Sequence, residues 1–509
     1  MINPIKFKKK DFKKKNYTIV DNKIENPNSK PKVTVITPVY NAEKYLRKTI
    51  ESVISQTLGI DNIEYILVDD CSKDSSREIL LEYSFKFPTI KSVLLKGNTG
   101  TPGHPRNIGI ELSTAKYITF LDADDWLEPN GLEILFNILE ETNDDYIVGK
   151  TIEVQQNGTK IVGEHESCKE RRNVSPYSIP HIFQHLGPRA RMCRTDLLKT
   201  NKIYFPEMKF AEDKQFFIDV LTASRSISTT TAPIYYLNRV DNSDRLTNQT
   251  NILQKTNCNL KVIQYVIKKN LDVENEKMIL NRLYEFDSIS RFFNTPHFQR
   301  TRLKFIYYYT FRRVLKTARF LRYEFSENFS EPLNKVVYEL FQNRKYKELV
   351  KLLEWNKKEK IKEIHIKDNL PYVKVPFLDE PFRYIKLPMF ALVKEDSTLE
   401  NKYTLHFKVY GTNMVSITDI IIRNSKDVLF EHHFEVEMEE DGNGRVIIDL
   451  ALLKHLPPSH YSIYLRFNDY MKINIRKIDT KQSKRCFQNR DYIFYQTKYS
   501  NVGLKIKGQ

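Results

Sequence analysis

The chain has 509 residues, of which 40% are hydrophobic and 28% charged, so we expect a globular protein of about two to four domains. This composition excludes collagen-like and low-complexity proteins, and no stretch approaches the roughly 18 consecutive apolar residues of a membrane span. The net charge of +17 leaves nucleic acid, an anionic membrane and an acidic polymer open as partners.

The amino-terminal segment 1–31 is predicted to be a basic, flexible tail. Its stretch "KFKKKDFKKK" is almost entirely lysine and phenylalanine, and a solvated tail is the simplest interpretation. Such a tail would also be attracted to an anionic polymer or to the inner face of the cell membrane, by about 1 kcal/mol for each basic residue. The start of the chain lacks the apolar run of a secretion signal, and the five cysteines form no CxxC pair. We therefore expect a cytoplasmic protein without a zinc site or disulfide framework.

Apolar strands then alternate with amphipathic helices, which predicts a parallel sheet covered on both faces. The first helix is expected to have Asn41 as its N-cap. The segments, in chain order, are the strand "KVTVITPVY", the helix "NAEKYLRKTIESVISQT", the strand "IEYILVDD", the helix "SREILLEYSFKF", the strand "IKSVLLKG", the helix "PRNIGIELST" and the strand "KYITFLD".

Marked residues follow three of these strands: 38–41, Asp69-Asp70 and 122–125. Ligands of open α/β sheets bind outside the carboxyl ends of the strands, so we expect the three sets to converge on one edge. The triplet Asp122-Ala123-Asp124 can direct two carboxylates at one ion, and hard cations such as Mg²⁺ or Mn²⁺ prefer oxygen ligands. Most such triplets are solvated loop acids, but this one directly follows a buried strand.

The spacing of apolar residues changes twice in the remaining sequence. Residues 251–368 show helical spacing without internal glycine in "RLKFIYYYTFRRVLKTARFLRYEF", and this basic, aromatic stretch is interpreted as an amphipathic helix with aromatic rings inward and cations in water. From about residue 369 the period becomes two, as in "KYTLHFKVYG", and "YSIYLRFNDYMKINI" indicates a hairpin turning at Asn468-Asp469. The pattern predicts a carboxy-terminal antiparallel β-sandwich over 369–509.

The motifs "VTVITPVYNAEKYLRKTIESVISQT", "EYILVDDCSKDSS", "GNTGTPGHPRNIGI" and "YITFLDADDWLEP" resemble the nucleotide-sugar half of family 2 glycosyltransferases with the GT-A fold, over 32–250. The stretches "GTPGHPRN" and "RMCRTDLLKTNKIYFPEMKFAEDKQFF" are most similar to bacterial transferases that add N-acetylglucosamine to wall teichoic acid. The resemblance implies an α/β GT-A domain, with 251–368 as a helical linker domain and 369–509 as an accessory domain. Such accessory regions support acceptor binding or oligomerisation in related enzymes.

The resemblance also implies roles for individual residues. Pro38 and Tyr40 would frame the uracil ring of a UDP-sugar, and Asp70 would accept a hydrogen bond from the uracil N3–H. Asn98 and Arg106 would contact the uridine and the sugar-proximal part of the donor. For Arg106, a structural pairing with a nearby aspartate is an equally good interpretation, and for Asp69 or Asp70 so is helix capping or turn formation.

The metal-binding and catalytic residues follow from the same resemblance. Asp122 matches the ribose-side carboxylate and shares the divalent cation with Asp124, while Asp125 is expected to cap the next helix. Asp213 matches the general base of inverting enzymes, which takes the proton of the acceptor hydroxyl, and Glu212 would support it. Without the resemblance, both acids would be first-turn residues favoured by the helix dipole.

The loop "NRVDNSDRLTN" departs from the family pattern because it has no histidine to cover the diphosphate. Arg239 is the candidate for that contact, with Arg245 as a second arginine, since a guanidinium can hold a phosphate through two hydrogen bonds. The complete set of metal ligands therefore stays open.

Three functions remain possible from the sequence. The first is an inverting, metal-dependent transfer of a sugar from UDP to a polyol-phosphate polymer. The second keeps that chemistry with a capsular or exopolysaccharide, a lipid-linked glycan or a protein as acceptor. The third is a non-catalytic scaffold that binds polyanions; no nucleic-acid-binding motif is present. The presence of Asp70, Asp122, Asp124 and Asp213 together favours an enzyme.

Overall fold

The computed structural model describes residues 16–21, 30–240 and 251–508 and confirms the predicted order of an α/β domain, a helical region and a carboxy-terminal sheet. The α/β domain contains the strands β1 (Tyr17–Asp21), β2 (Val33–Val39), β3 (Ile63–Asp69), β4 (Ile90–Leu95), β5 (Tyr117–Phe120), β6 (Trp126–Leu127), β7 (Tyr146–Gln155), β8 (Gly158–Val162), β9 (Arg171–Val174), β10 (Arg191–Arg194) and β11 (Ile227–Asn238). Its helices are α1 (Glu43–Ile54), α2 (Ser76–Lys86), α3 (Gly103–Leu112), α4 (Gly131–Thr142), α5 (Glu164–Ser167), α6 (Thr195–Thr200) and α7 (Glu212–Ala223).

These strands form one sheet in the order β1-β4-β3-β2-β5-β10-β7-β11-β6, with β8 beside β7 and β9 beside β11. The strands β4, β3, β2 and β5 are mutually parallel, whereas β10 is antiparallel to both of its neighbours. The strand β3 is buried at every residue, as its mostly apolar sequence indicates for a strand of a sheet covered by helices on both faces. The parallel part therefore places the carboxyl ends of β2, β3 and β5 at one edge.

The edge strand β1 corrects the prediction that the whole segment 1–31 is a flexible tail. Tyr17 to Asp21 pair antiparallel with Leu95 to Lys91 of β4, and Tyr17 and Ile19 pack against a small buried cluster beneath. The alternation in "YTIVD" is the signal for this strand, which the neighbouring lysines obscured. The lysine-rich stretch 6–15 itself lies outside the described residues.

The helical region follows the α/β domain without a break in the hydrophobic core. Its helices are α8 (Ile252–Lys268), α9 (Val273–Tyr284), the π-helix Glu285–Ser290, α10 (Arg291–Phe293), α11 (Pro296–Arg300), α12 (Lys304–Leu315), α13 (Pro332–Gln342) and α14 (Tyr346–Lys358). Buried residues of these helices share one cluster with α7 and with the small sheet of β12 (Ile364–Lys367), β13 (Leu370–Lys374) and β14 (Tyr384–Lys386). The helical region thus stabilises the helix that carries Asp213.

The carboxy-terminal region is the predicted antiparallel β-sandwich, with its own core. Its strands are β15 (Met389–Leu399), β16 (Lys402–Gly411), β17 (Ile417–Asn424), β18 (Glu431–Glu435), β19 (Glu437–Met438), β20 (Asn443–Asp449), β21 (Ser459–Phe467), β22 (Met471–Arg476), β23 (Ser483–Phe487), β24 (Arg490–Gln496) and β25 (Val502–Gly508). One pair departs from the pattern, because β15 and β22 run parallel. The β21–β22 hairpin turns at Asn468 and Asp469, both with positive φ as such turns require.

The sandwich contacts the α/β domain directly through polar groups. The Thr159 backbone N–H donates to the Lys426 carbonyl at 2.7 Å, and the Thr159 hydroxyl donates to Asp427. Glu164 pairs with both Arg423 and Lys472 across the same boundary. In the described part of the chain all five cysteines are free, and no helix there is long and apolar enough to cross a membrane. The predicted domain boundaries at 250 and 368 remain predictions.

Candidate active site

The predicted edge is formed by the ends of β2, β3 and β5. Val39 lies opposite Asp69 in the parallel register, and the Asp70 N–H donates to the Val39 carbonyl at 2.8 Å. Beyond β5, the Leu121 N–H donates to the Ile36 carbonyl at 3.0 Å. These bonds bring the loops after the three strands together, as the sequence predicts.

Asp70 has the environment expected of a nucleotide-binding carboxylate. It is buried and accepts hydrogen bonds from the Thr99 N–H at 2.8 Å and the Thr99 hydroxyl at 3.0 Å. Burial raises the pKa of the Asp70 carboxyl, although the Thr99 bonds act in the opposite direction. Beside it, Pro38 is half-buried and the Tyr40 ring is 45% exposed, so that ring is available for stacking on a base.

Two neighbours of this pocket have structural roles. Asp69 is fully buried and accepts from Arg77 Nε and Nη2 and from the Ser72 N–H, which agrees with the turn role expected for one of the two aspartates. Asn41 is not the N-cap of α1, which corrects that prediction. It has a φ of 48°, and its side chain accepts from the Lys73 N–H at 2.9 Å, tying the loop after β2 to the loop after β3. Both residues shape the pocket around Asp70.

Asn98 lies on the exposed loop that also supplies Thr99. Its side-chain oxygen accepts from the Gly100 N–H at 2.5 Å. Gly100 has a φ of +75°, a conformation that glycine adopts readily, and this sharp turn returns the loop towards α3. Asn98 therefore holds the loop, and the structure shows no contact from it to the other predicted site residues.

The three aspartates of the loop after β5 differ in how deeply they are buried. Asp122 and Asp124 are half-buried, whereas Asp125 is fully buried and accepts from the Tyr235 hydroxyl at 2.6 Å and the Asn238 N–H at 2.8 Å. Asp125 is therefore not a helix cap, since α4 begins only at Gly131. Burial and the charges of Asp124 and Asp122 hold the pKa of Asp125 well above its ordinary value.

Arg106 connects this loop to Glu212, the residue next to the predicted base Asp213. Its Nη2 donates to Asp122 Oδ1 at 2.6 Å, and its Nη1 lies 3.7 Å from Glu212 Oε1. Burial disfavours the charged guanidinium, but the carboxylates of Asp122 and Glu212 outweigh it and raise the pKa of Arg106. The structural interpretation of Arg106 is thus shown, and its contact with the donor remains a prediction.

Helix α3 can place Arg106 here because it lies very close to the sheet. A Cβ atom on Gly109 would come within 2.4 Å of Ile36 Cγ2, so a larger residue would push the helix away from β2. Gly103, at the start of α3, has more space, since a Cβ atom there would lie 3.1 Å from Phe205 Cβ and 3.4 Å from Glu212 Cγ. Of the glycines in "GTPGHPRNIGI", Gly109 therefore serves helix packing, whereas Gly100 serves the turn before the helix.

Helix α7 begins with Glu212 and Asp213, and Glu212 is the residue that faces Arg106. Ala211 enters the helix with a φ of 66°, and Asp213 Oδ1 accepts from the Lys214 N–H at 2.8 Å. Glu212 is buried and Asp213 half-buried. Burial and then the charge of Asp213 raise the pKa of Glu212 to about 7, with Arg106 acting against them. Glu212 is therefore poised to change its protonation state near neutral pH.

Glu212→Gln should change the pH dependence of stability. Because the folded-state pKa of Glu212 is raised to about 7 from 4.5, its protonation favours the folded state below pH 4.5, and that contribution is lost as the pH rises through 7. A pKa difference of this size corresponds to about 3 kcal/mol, so the variant should gain nearly that amount over the wild type between pH 4 and pH 8. Urea unfolding in chelator without nucleotide measures it, and an equal difference at both pH values would contradict the assignment.

Lys214, the residue after Asp213, is anchored in the helical region. Its Nζ lies 2.6 Å from Asp287 Oδ2, and Asp287 is buried with Arg282 and Arg291 also in contact. These cations hold the pKa of Asp287 below its ordinary value despite its burial. Asp287 lies within the π-helix, a feature frequent at functional sites. The helical region thus fixes the first turn of α7.

Arg239 lies at the end of β11, next to Asn238, whose N–H binds Asp125. Its own N–H donates to the Val154 carbonyl at 2.7 Å, and its guanidinium donates to the Asn238 carbonyl at 2.9 Å. The rest of the proposed loop, including Arg245, falls within 241–250, outside the described residues. The diphosphate role of Arg239 therefore remains a prediction.

The residues after β5 fit a divalent cation of the type that takes few protein ligands. Asp122 and Asp124 offer hard carboxylate oxygens from one short loop, and both are partly accessible. Within the described ranges no three histidine, cysteine or acidic side chains are grouped closely enough to enclose a metal. Such an open set suits Mg²⁺ or Mn²⁺ completing its shell with diphosphate oxygens and water, which is how these ions bind with nucleotide substrates.

Three residues that support the site were not predicted from the sequence. Thr99 holds Asp70, Tyr235 holds Asp125 and also accepts from the Asp122 N–H at 3.1 Å, and Asp287 holds Lys214. Tyr235 and Asp287 lie far along the chain from their partners and outside the quoted motifs, whereas Thr99 lies within "GNTGTPGHPRNIGI" next to the predicted Asn98. Tyr235 in "APIYYLN" was visible as an aromatic near the end of a strand, but its partner was not.

Comparison with known proteins supports the fold and the site region. Residues 34–199 match the family model described as "Glycosyl transferase family 2". A poly(ribitol-phosphate) beta-glucosyltransferase of Bacillus spizizenii is 32% identical over 206 residues, which cover 40% of this chain and 32% of that protein. The poly(ribitol-phosphate) beta-N-acetylglucosaminyltransferase TarP of Staphylococcus aureus is 35% identical over 209 residues, 40% of this chain and 62% of TarP. The chain thus spans less than two thirds of either relative.

Solved structures of S. aureus TarS are similar in fold to most of this chain. One covers 94% of this chain and 85% of TarS, with a TM-score of 0.56 and 18% identity. Another, of TarS 1–349 in complex with UDP-GlcNAc, covers 70% of this chain and 99% of that fragment, with a TM-score of 0.56 and 22% identity. The predicted GT-A fold is confirmed by this likeness.

Proposed function

We propose that this chain, whose residues 34–199 match the family model of the family 2 glycosyltransferases, transfers a sugar from a UDP donor to a hydroxyl of a polyol-phosphate polymer of the cell envelope. The proposed sugar is N-acetylglucosamine, and the proposed outcome is inversion at the anomeric carbon. One observation carries the proposal: Arg106 joins Asp122, beside the metal-binding candidate, to Glu212, beside the candidate base.

The donor would lie across the edge of the sheet. Asp70 accepts from the uracil, Tyr40 stacks on its ring, and Asn98 and Pro38 border the nucleoside. Asp122 and Asp124 would hold a divalent cation, which stabilises the negative charge of the departing UDP when bound. Arg106 stabilises the charges of Asp122 and Glu212 and lies where the sugar-proximal part of the donor would pass, and Arg239 contacts the diphosphate.

The acceptor hydroxyl would approach from the side of α7. Asp213 removes its proton while the oxygen attacks the anomeric carbon, because a carboxylate within hydrogen-bond reach can act as general base. Glu212, with its pKa raised to about 7 by burial and by the charge of Asp213, can keep a proton near neutral pH and support Asp213 from beside it.

The names of the similar proteins support the acceptor class, since two of them act on poly(ribitol-phosphate). They differ in the sugar, glucose in one and N-acetylglucosamine in the other, so the donor needs a direct test. A cytoplasmic location, with the basic tail near the membrane, and self-association through the carboxy-terminal region belong to the same proposal.

Calorimetric titration tests the donor site. The purified chain should bind UDP and UDP-N-acetylglucosamine in the presence of Mn²⁺ and bind them much more weakly in chelator. UDP-glucose in the same series decides between the two sugars. A folded sample that binds no nucleotide would favour the polyanion-binding scaffold, and donor binding with no transfer to polyribitol phosphate would favour another glycan as acceptor.

A further inference from the structure

Helix α12 has two aromatic faces, and only one of them is buried. Tyr307 and Phe311 point into the helical core together with Val314, as the sequence interpretation expects. Phe305 and Tyr309 are instead 63% and 66% exposed, which contradicts the expectation that the rings of this helix all point inward. Exposed rings of this size need a physical explanation.

The exposed residues follow one helical face. Phe305, Tyr309, Arg312 and Lys316 are spaced by four, three and four residues, which places them in one row along the helix. Leu303 precedes this row and Phe320 ends the 3-10 turn after it, and they are 53% and 72% exposed. We refer to the row with its two ends as the outer face.

The outer face lies in a purely cationic stretch. From residue 300 to 323 the chain has eight basic and no acidic residues, and within the described structure none of these eight forms an ion pair. Their hydrogen bonds go to neutral groups, as when Arg312 donates to the Tyr346 hydroxyl and Arg313 to the Asn257 side chain. Acidic side chains of the described structure therefore neutralise little of this positive charge by direct pairing.

We propose that the outer face docks this protein on an anionic lipid surface. Leucine and aromatic side chains insert at the boundary between head groups and acyl chains, and neighbouring lysine and arginine side chains bind the lipid phosphates. A soluble polyanion would use its cations but would give no reason to expose Leu303, Phe305 and Phe320. The inference concerns binding alone and does not depend on the proposed transfer reaction.

Vesicle sedimentation with the full chain tests the proposal. The wild type should bind vesicles that mix phosphatidylglycerol with phosphatidylcholine, and it should bind pure phosphatidylcholine weakly. Phe305→Ser, Tyr309→Ser and Phe320→Ser together should lower binding about tenfold or more, because the inserted rings are lost. Lys316→Gln with Arg319→Gln should lower it as well and make the remainder less dependent on salt.

Two controls separate this face from other surfaces. Phe85→Ser removes a ring that is also 63% exposed, on α2, and should bind vesicles like the wild type. Replacing the lysines of 6–15 by glutamine should leave the loss caused by the three ring substitutions unchanged. Thermal unfolding confirms that each variant is folded.

Binding of a soluble polyanion tests the competing interpretation, in which the outer face binds polyanions and not lipid. The variant without the three rings should bind sodium polyphosphate as the wild type does. If it lost polyphosphate and vesicle binding together, the outer face would be a polyanion site and the lipid proposal would be wrong. Unchanged vesicle binding by that variant, or no vesicle binding by the wild type, would overturn it as well.

Discussion

Asp213→Asn should remove sugar transfer almost completely while leaving donor binding unchanged. General-base catalysis contributes about 10²- to 10⁴-fold to such reactions, so the rate of transfer should fall by about that factor. The fold should survive, because the asparagine oxygen can still accept from the Lys214 N–H as Asp213 Oδ1 does at 2.8 Å. Transfer to polyribitol phosphate, measured beside calorimetric binding of UDP-N-acetylglucosamine, separates the two effects.

Two further variants serve as controls for the Asp213→Asn result. Asp196→Asn changes an exposed carboxylate on α6 and should leave transfer unaffected. Glu212→Gln keeps a neutral group at a position whose pKa is already about 7, so it should reduce transfer far less than Asp213→Asn. If Glu212→Gln were the inactive variant and Asp213→Asn kept full activity, the roles of the two acids would have to be exchanged.

The sequence predicted the sheet edge that forms the site because each of its parts follows from a short stretch of sequence. The apolar strands ending at Asp69 and Phe120 specify a parallel sheet, and a parallel sheet gathers its strand ends on one side. The pairing of Arg106 with an aspartate was also anticipated as one of two interpretations. These features need only the period of the strands and the residues directly beyond them.

What the sequence did not predict depends on contacts between distant segments. Asp125 was expected to cap a helix, but a hydroxyl and an N–H from β11, more than a hundred positions away, hold it instead. Asn41 was expected to cap α1, yet a neighbouring loop offers its N–H to the side chain. In both cases a polar residue near a helix start has several possible partners, and tertiary packing decides among them.

The exposed rings of α12 were missed for a related reason. A helix with aromatic residues at Phe305, Tyr307, Tyr308, Tyr309 and Phe311 has more rings than one buried face can accept. The spacing alone does not show which rings remain outside, because that depends on where the neighbouring helices pack. The anchoring of Lys214 by Asp287 likewise joins two domains and has no local signal.

Asp124→Asn should weaken metal-dependent binding of UDP without disturbing the fold. Asp122 is tied to Arg106 at 2.6 Å, and Asp125 is buried and accepts from the Tyr235 hydroxyl, so changing either of them would disturb the loop itself as well as any bound ion. Altering even the supporting residues of metal sites costs about 10- to 100-fold in metal affinity, and the loss of a charged ligand should cost at least as much.

Binding with and without metal decides whether Asp124 acts through the cation. In Mn²⁺ the variant should bind UDP at least about tenfold more weakly than the wild type, whereas in chelator the two should bind alike, because no ion is then present to distinguish them. Adding Mn²⁺ should partly restore the variant at high concentration, since Asp122 still offers one carboxylate. If instead the variant were equally weak in metal and in chelator, Asp124 would contact the nucleotide directly. If it kept the wild-type response to Mn²⁺, the cation would have to be held by other groups at this edge of the sheet.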